Sequence, residues 1–257
     1  MVTEITPAID WEGWLARWDA LQNGYFPQRE NRFTALVNAV AVCAGATPRI
    51  LDLGAGPGTL SLRVLNRLPG ARVVAIDNDP VLIEVGRQVL GRHGERVRWL
   101  DADLSDPAWA SQLPDGSEFD VAVSSTALRW LDCEDLSPLY QTLAALLRPG
   151  GVFLDADHIA YGPDQARIAL LATGLRTAEL LPVQHHVDDW SSWWSAIEGE
   201  RGLTDAFADR RRRGHDHPSH ATASSYEFHR EALLEAGFSE VGTLWQRLSD
   251  RVLVAIR

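Results

Sequence analysis

The sequence predicts an α/β fold: a doubly wound, Rossmann-like sheet of seven strands with the last strand pair antiparallel, plus helical lid segments. Two observations predict it. Short apolar runs alternate with helical patterns, which is typical of a mostly parallel sheet covered on both faces, and the first apolar run leads into a glycine-rich turn. With 257 residues and 46% hydrophobic content, the chain can bury one sizeable core. We therefore expect a single domain over residues 1–257.

Each predicted strand is a short apolar run bounded by turn-forming residues. The seven runs are Arg49–Leu53, Val73–Asp77, Val97–Leu100, Asp120–Ser124, Gly151–Asp155, Val241–Leu248 and Arg251–Ile256. Only Ser249 and Asp250 separate the last two runs. We therefore expect those two strands to form an antiparallel hairpin.

Helical patterns lie between several of these strands. They cover Leu60–Leu68, Pro80–Gly91 and Leu136–Leu147, and Pro149-Gly150 marks the end of the last one. Two further segments do not follow the alternation, and both contain groups of tryptophans. We expect these segments, residues 1–47 and 159–222, to act as lids over a core formed by residues 48–158 and 223–257.

Composition and charge exclude several classes of protein. The net charge of -11 repels phosphate backbones, so we expect no nucleic-acid partner. All 24 basic residues are arginine, which excludes Schiff-base chemistry and a P-loop lysine. No apolar run reaches the length of a membrane span, only two cysteines are present, and no secretory pattern is seen. We expect a cytoplasmic protein without a membrane partner; its oligomeric state stays open.

The glycine-rich turn contains Gly54, Gly56 and Gly58. Glycines allow the backbone to turn tightly and to approach a ligand closely. The nicotinamide fingerprint Gly-x-Gly-x-x-Gly requires a third glycine where Thr59 stands, and Asp52 before the turn would repel a pyrophosphate. A cationic ligand fits this turn better, and a nicotinamide-dependent oxidoreductase is the less favoured alternative.

Two more carboxylates follow the next strands. Asp77 ends the second strand, where a carboxylate can accept both hydroxyls of a ribose. Asp103 follows the third strand and can accept from an adenine amino group, unless Asp101 takes that role. The acids around the turn are not accompanied by a basic residue that could bind a phosphate. This combination predicts a site for an adenosine that has a sulfonium and an amino group.

These motifs, in this order, resemble the class I S-adenosylmethionine-dependent methyltransferases of the small-molecule type. The resemblance covers residues 49–157 and 226–257. It implies S-adenosylmethionine as cofactor, S-adenosylhomocysteine as product and a small-molecule acceptor. A non-catalytic protein that only binds this cofactor is the alternative. The cofactor-binding residues expected are Asp52, Gly54, Ala55, Gly56, Gly58, Asp77, Asn78, Asp103, Leu104 and Ser124.

The acceptor and the methylated atom stay open between oxygen, nitrogen, carbon and sulfur. Many tryptophans in the lid segments favour an apolar or aromatic acceptor. Arg129 and Trp130 are candidate substrate residues; they stand where related sequences often have His-Trp. Arg129 pairs either with an acidic acceptor or with a neighbouring acid of the chain.

His158 is the candidate catalytic base, because it follows the fifth strand near the ligand crevice. The alternative is a histidine that only supports its neighbours. We expect no metal, although His185-His186 and the three histidines of residues 215–220 were candidates. The arginines of residues 210–213 favour a solvated helix end; an acid-recognition patch is the alternative.

Overall fold

A computed structural model describes residues 9–114, 116–180, 188–215 and 224–257. Its strands form one mixed sheet in the order β3-β2-β1-β4-β5-β7-β6. Strands β1 to β5 are parallel, and β7 is antiparallel to both β5 and β6. This confirms the predicted sheet. The bounds are β1 Arg49–Leu53, β2 Arg72–Asp77, β3 Val97–Asp101, β4 Phe119–Ser125, β5 Leu147–His158, β6 Glu240–Arg247 and β7 Asp250–Ile256.

Helices cover both faces of the sheet. They are α1 Trp11–Tyr25, α2 Arg29–Cys43, α3 Thr59–Arg67, α4 Pro80–Leu90, α5 Cys133–Leu146, α6 Ala166–Leu180, α7 Trp190–Ile197, α8 Thr204–Arg212 and α9 Tyr226–Glu235. The amphipathic patterns expected between strands correspond to α3, α4 and α5. Within the described part of the chain, no helix is long and apolar enough to cross a membrane.

Three apolar clusters hold these layers together. One packs α5 and α9 against one face of the sheet, and the second packs α2 and α3 against the other. The third joins α1, α4, α7 and α8. Helix α2 therefore belongs to a layer that covers the sheet, whereas α1, α7 and α8 pack outside it against α4.

The third cluster is rich in tryptophan. Trp18 of α1 lies 4.9 Å from Trp193 of α7, measured between ring centroids, and 5.5 Å from Trp190. The ring of Trp193 also has edge-on contacts with Trp14 and Trp194, at centroid distances of 5.9 and 5.0 Å. Such edge-to-face geometry is favoured between aromatic rings. These five residues, which we call the tryptophan cluster, fix α7 against α1.

The carboxyl ends of the parallel strands meet at one edge of the sheet. Strand β1 lies between β2 and β4, with Leu53 opposite both Ile76 and Ser124. On the far side of β4, Ser125 pairs with Ala156 of β5. Neighbouring strands are about 4.8 Å apart, so the residues that follow β1, β2, β4 and β5 are brought together at this edge.

Candidate active site

The turn after β1 requires glycine at specific positions. Gly54 has φ +65°, and a Cβ there would lie 2.3 Å from the Cβ of Ala127. Gly58 has φ +81°, and a Cβ there would lie 2.5 Å from Leu90. Because side chains are excluded at both positions, the backbone of the turn and the loop after β4 come close to each other.

Asp77 ties the end of β2 to this turn. Its carboxylate accepts the backbone N–H of Gly56 at 2.7 Å and that of Asp79 at 2.9 Å. Burial raises the pKa of Asp77 to about 6, because removal from water disfavours the charged form. Lone pairs on both oxygens are still free to accept hydroxyl groups. The predicted ribose-binding carboxylate is therefore next to the turn.

Asp52 is buried below the same turn. The hydroxyl of Ser61 donates to its Oδ2 at 2.6 Å. Burial raises the pKa of Asp52 to about 7, and the negative charge of Asp77 adds to the increase. A nearby cation would reverse this shift, because it favours the carboxylate.

A pocket opens above the turn. It encloses about 370 Å³, including space open to solvent. Its lining includes Arg29, Phe33, Asp52, Ala55 and Ser125. Sequence reasoning missed Arg29, Phe33 and Ser125, because it treated residues 1–47 only as a lid and assigned the β4 contact to Ser124.

The two serines at the end of β4 play different parts. Ser124 is buried, and its hydroxyl donates to the carbonyl of Leu53 at 3.0 Å, which links β4 to β1. Ser125 lines the pocket, and its buried hydroxyl has no hydrogen-bond partner in the described residues. Ser125 therefore offers the ligand-facing hydroxyl, and Ser124 supports the turn.

The two acids at the end of β3, Asp101 and Asp103, differ in their contacts. Asp103 is exposed and accepts from the backbone N–H and the hydroxyl of Ser105, at 2.9 and 2.8 Å. Leu104 packs partly buried against the core. Asp101 instead forms an ion pair with Arg213, at 2.6 and 2.8 Å. Asp103 is thus the acid with lone pairs facing water near this edge.

The arginines at the end of α8 correct one prediction in part. A solvated helix end was expected; Arg211, Arg212 and Arg213 are exposed, but Arg210 is buried. Arg210 donates to Asp79 at 2.8 Å and lies 3.8 Å above the ring of Trp194. Arg213 donates to the carbonyl of Asn78 at 3.0 Å as well as to Asp101. These long-range contacts attach α8 to the ends of β2 and β3, where the adenosine was predicted to bind.

The candidate substrate residues lie at the ends of β4 and β5. Arg129 forms an ion pair with Asp157 at 3.0 Å, which is one of the two pairings expected from the sequence. Trp130 is 46% exposed. His158 lies 2.9 Å from Asp250, Nδ1 to Oδ1, and also contacts the guanidinium of Arg176. The imidazole of His158 thus has charged partners of both signs.

Of the candidate metal ligands, His185, His186, His217 and His220 lie outside the described residues. Within the ranges that the structure describes, no group of three His, Cys, Asp or Glu side chains could hold a metal ion.

Residues 50–151 match the family described as methyltransferase domain. These residues therefore form a methyltransferase domain. This confirms the resemblance inferred from the glycine turn and its carboxylates, and S-adenosylmethionine is the cofactor of this domain family.

Two curated relatives illustrate the similarity. Trans-aconitate 2-methyltransferase of Azoarcus sp. (strain BH72) is 34% identical over 139 residues, which are 54% of this chain and 49% of the relative. Demethylmenaquinone methyltransferase of Thermus thermophilus is 38% identical over 107 residues, which are 41% of this chain and 45% of the relative. The chain thus spans about half the length of the curated relatives it matches.

A solved structure shows the same fold over a larger share of both chains. Magnesium protoporphyrin IX methyltransferase from Synechocystis, with bound S-adenosylhomocysteine, superimposes with a TM-score of 0.55 at 16% identity. The alignment covers 98% of this chain and 89% of the other. The methyltransferase fold therefore extends beyond residues 50–151 and includes the antiparallel strands at the end of the sheet.

The pKa values of Asp52 and Asp77 predict that cofactor affinity depends on pH. Both pKa values are raised, to about 7 and about 6, so each carboxylate is protonated in a fraction of the molecules near pH 6. A cationic cofactor favours the ionised forms, and its binding should release protons. We expect affinity for S-adenosylmethionine to rise about tenfold or more from pH 5 to pH 7. Calorimetry in buffers of different ionisation enthalpy measures both effects.

Asp52→Asn is the matched control. It should reduce both the proton release and the rise of cofactor affinity with pH.

The stability of the ligand-free chain should depend on pH with the opposite sign. Because the folded pKa exceeds the unfolded value, ionisation opposes folding, and the free energy of unfolding of the ligand-free chain should fall between pH 4 and pH 7. An affinity that is constant from pH 5 to pH 7 would show that neither carboxylate faces the cation.

Proposed function

We propose that the chain transfers a methyl group from S-adenosylmethionine to a small-molecule acceptor. The observation that carries the proposal is the pocket at the glycine turn, which Asp52 and Ser125 line and which has Asp77 beside it. Both curated relatives described above are named for small acceptors, trans-aconitate and demethylmenaquinone.

The residues present fit the cofactor. Asp52 and the backbone at Gly54 suit the ammonium group, and Asp77 suits the ribose hydroxyls. Arg29 is buried against the pocket, and its Nε has no hydrogen-bond partner in the described residues, so it suits the carboxylate of the methionine portion. Asp103 and Leu104 would flank the adenine, with Asn78 beside the ribose.

When bound, the cofactor supplies a methyl group on a sulfonium, which is a good electrophile. The chain's own part is to hold the acceptor in line with that methyl group and to exclude water. We propose that the acceptor binds next to the pocket, at the loop after β4 and the end of β5. We propose His158 as the base for an acceptor that must lose a proton.

We also propose that the chain is a single domain in which parts of residues 1–47 and 159–222 cover the cofactor. The contacts of Trp18 with the tryptophans of α7 support this arrangement, as does the attachment of α8 to Asn78 and Asp101 through Arg213.

The decisive experiment combines binding with turnover. We expect S-adenosylhomocysteine to bind the purified chain in calorimetry, and S-adenosylmethionine to be consumed when a panel of small acceptors is added. Cofactor binding without consumption across the panel would favour the non-catalytic alternative. Binding of a nicotinamide cofactor in place of S-adenosylhomocysteine would overturn the proposal.

A further inference from the structure

Three arginines converge on one buried phenylalanine, and we call them the arginine cluster: Arg32, Arg129 and Arg176. Phe26 lies between α1 and α2, and the Cζ atoms of the three arginines are 5.5, 5.2 and 5.4 Å from its ring centroid. The ring of His158 is 5.0 Å away. Positive charge is therefore concentrated around a single apolar ring.

Part of this charge is met by close contacts with acids. Asp157 pairs with Arg129. Asp250 is shared by His158 at 2.9 Å and Arg32 at 3.6 Å, and it also attracts Arg176. Burial, followed by repulsion from Asp157, raises the pKa of Asp155 well above its usual value, against the attraction of Arg32 and Arg129. Asp157 and Asp250 thus make the close contacts with three guanidinium groups and a histidine, and Glu179 adds attraction to Arg176.

Arg32 is the arginine of the cluster whose guanidinium group is least satisfied by hydrogen bonds. Its side chain is 1% exposed, and none of its three guanidinium nitrogens has a hydrogen bond within the described residues. Burial of a charged group without hydrogen bonds is costly. Burial is the largest cause that lowers the pKa of both Arg32 and Arg176; the attraction of acids, Asp250 first, opposes it, and repulsion by Arg129 adds to the lowering. An added anion would relieve this repulsion.

The arginine cluster adjoins the cofactor pocket. Arg29 lines the pocket, and Arg32 follows three residues later on the same side of α2. At the other side, Ser125 lines the pocket and pairs with Ala156, the residue before Asp157. An acceptor held by the arginine cluster would therefore lie beside the methionine end of the cofactor.

We propose that the arginine cluster binds the carboxylate of an anionic acceptor, with Arg129 and Arg176 as its direct partners and Phe26 against its apolar part. This assignment rests on the proposed function. Both arginines are partly exposed, whereas Arg32 supplies positive charge from below. Because the whole chain has a net charge of -11, an anionic acceptor needs a local cationic site of this kind.

The chemistry balances without a base. A carboxylate oxygen forms the new C–O bond to the methyl carbon while the S–CH3 bond breaks and its electron pair stays on sulfur. The products are a methyl ester and neutral S-adenosylhomocysteine, and no proton is released. For such an acceptor, His158 positions Asp250 and Arg176 and accepts no proton.

The test measures binding of small acids to the chain, with and without S-adenosylhomocysteine. Succinate, tricarballylate and phenylacetate are compared with their amides by calorimetry. We expect at least one acid to bind tenfold or more tightly than its amide. Arg129→Gln and Arg176→Gln should each weaken that binding at least tenfold, whereas Arg167→Gln, an exposed arginine on the same helix as Arg176, should not change it.

Two results would overturn the assignment: no acid that binds tenfold more tightly than its amide, or acid binding that both cluster variants retain. Arg176→Gln keeps the test valid if Arg129→Gln fails to fold because Asp157 loses its partner. If S-adenosylhomocysteine binds and the acids do not, only this inference fails. If the acids bind and S-adenosylhomocysteine does not, the proposed methyl transfer fails instead.

Discussion

Asp77→Ala is expected to weaken the binding of S-adenosylhomocysteine about tenfold to a thousandfold. A hydrogen bond to a charged acceptor contributes about 1.5–3 kcal/mol, and the variant removes a carboxylate suited to two ribose hydroxyls. It also removes the acceptor for the N–H groups of Gly56 and Asp79, so the turn keeps its backbone bond to Ile76 of β2 but loses its side-chain bond. Calorimetry on the folded variant gives the change in Kd.

Asp106→Ala is the matched control for this measurement. Asp106 also accepts a backbone N–H, that of Ala108 at 2.9 Å, but it is exposed and lies beyond the end of β3. Its loss should change cofactor affinity less than about twofold. If Asp77→Ala has the affinity of the wild type, Asp77 does not contact the cofactor.

Arg210→Ala is expected to lower the free energy of unfolding by about 2–4 kcal/mol, since loss of one partner leaves a buried ion pair uncompensated. The side chain of Arg210 is 10% exposed and that of Asp79 is 11% exposed. Asp79 also caps α4 by accepting the N–H groups of Val81 and Leu82. The variant therefore removes the attachment of α8 to the start of α4. Denaturant unfolding measures the difference.

Arg211→Ala provides the comparison on the same helix. Arg211 pairs with Glu198 at 2.9 Å, but both side chains are at least half exposed, and exposed pairs contribute about 0–1 kcal/mol. If both variants have the same stability, the contact of Arg210 with Asp79 and Trp194 does not hold α8 in place.

The parts of the fold that follow from local signals could be predicted from the sequence. Strand β1 has the predicted bounds, because an apolar run ends at a glycine turn that only glycine can form. Strand β5 is longer than predicted. It begins at Leu147, before Pro149-Gly150, because Leu147 already pairs with Phe119 ahead of a register shift.

The site could be predicted only where its residues lie at the carboxyl end of a strand. Asp52 and Asp77 satisfy that condition. The contacts of Arg210 and Arg213 could not be predicted, because their partners are more than 100 residues away in sequence. One signal for the arginine cluster was present: Arg29 and Arg32 are one helical turn apart, on the side of α2 that also contains Phe33. Charged residues on the apolar face of a helix indicate that their side chains have a function in the protein interior.

The tryptophan cluster also gives the protein an optical property. Five of the protein's ten tryptophans lie where α1 meets α7, and neighbouring ring centroids are 4.9–5.9 Å apart. Indoles at such distances couple their electronic transitions and exchange excitation energy. The near-ultraviolet circular dichroism and the emission of the protein therefore depend strongly on how these two helices touch, so the two helices report their own separation without an added dye.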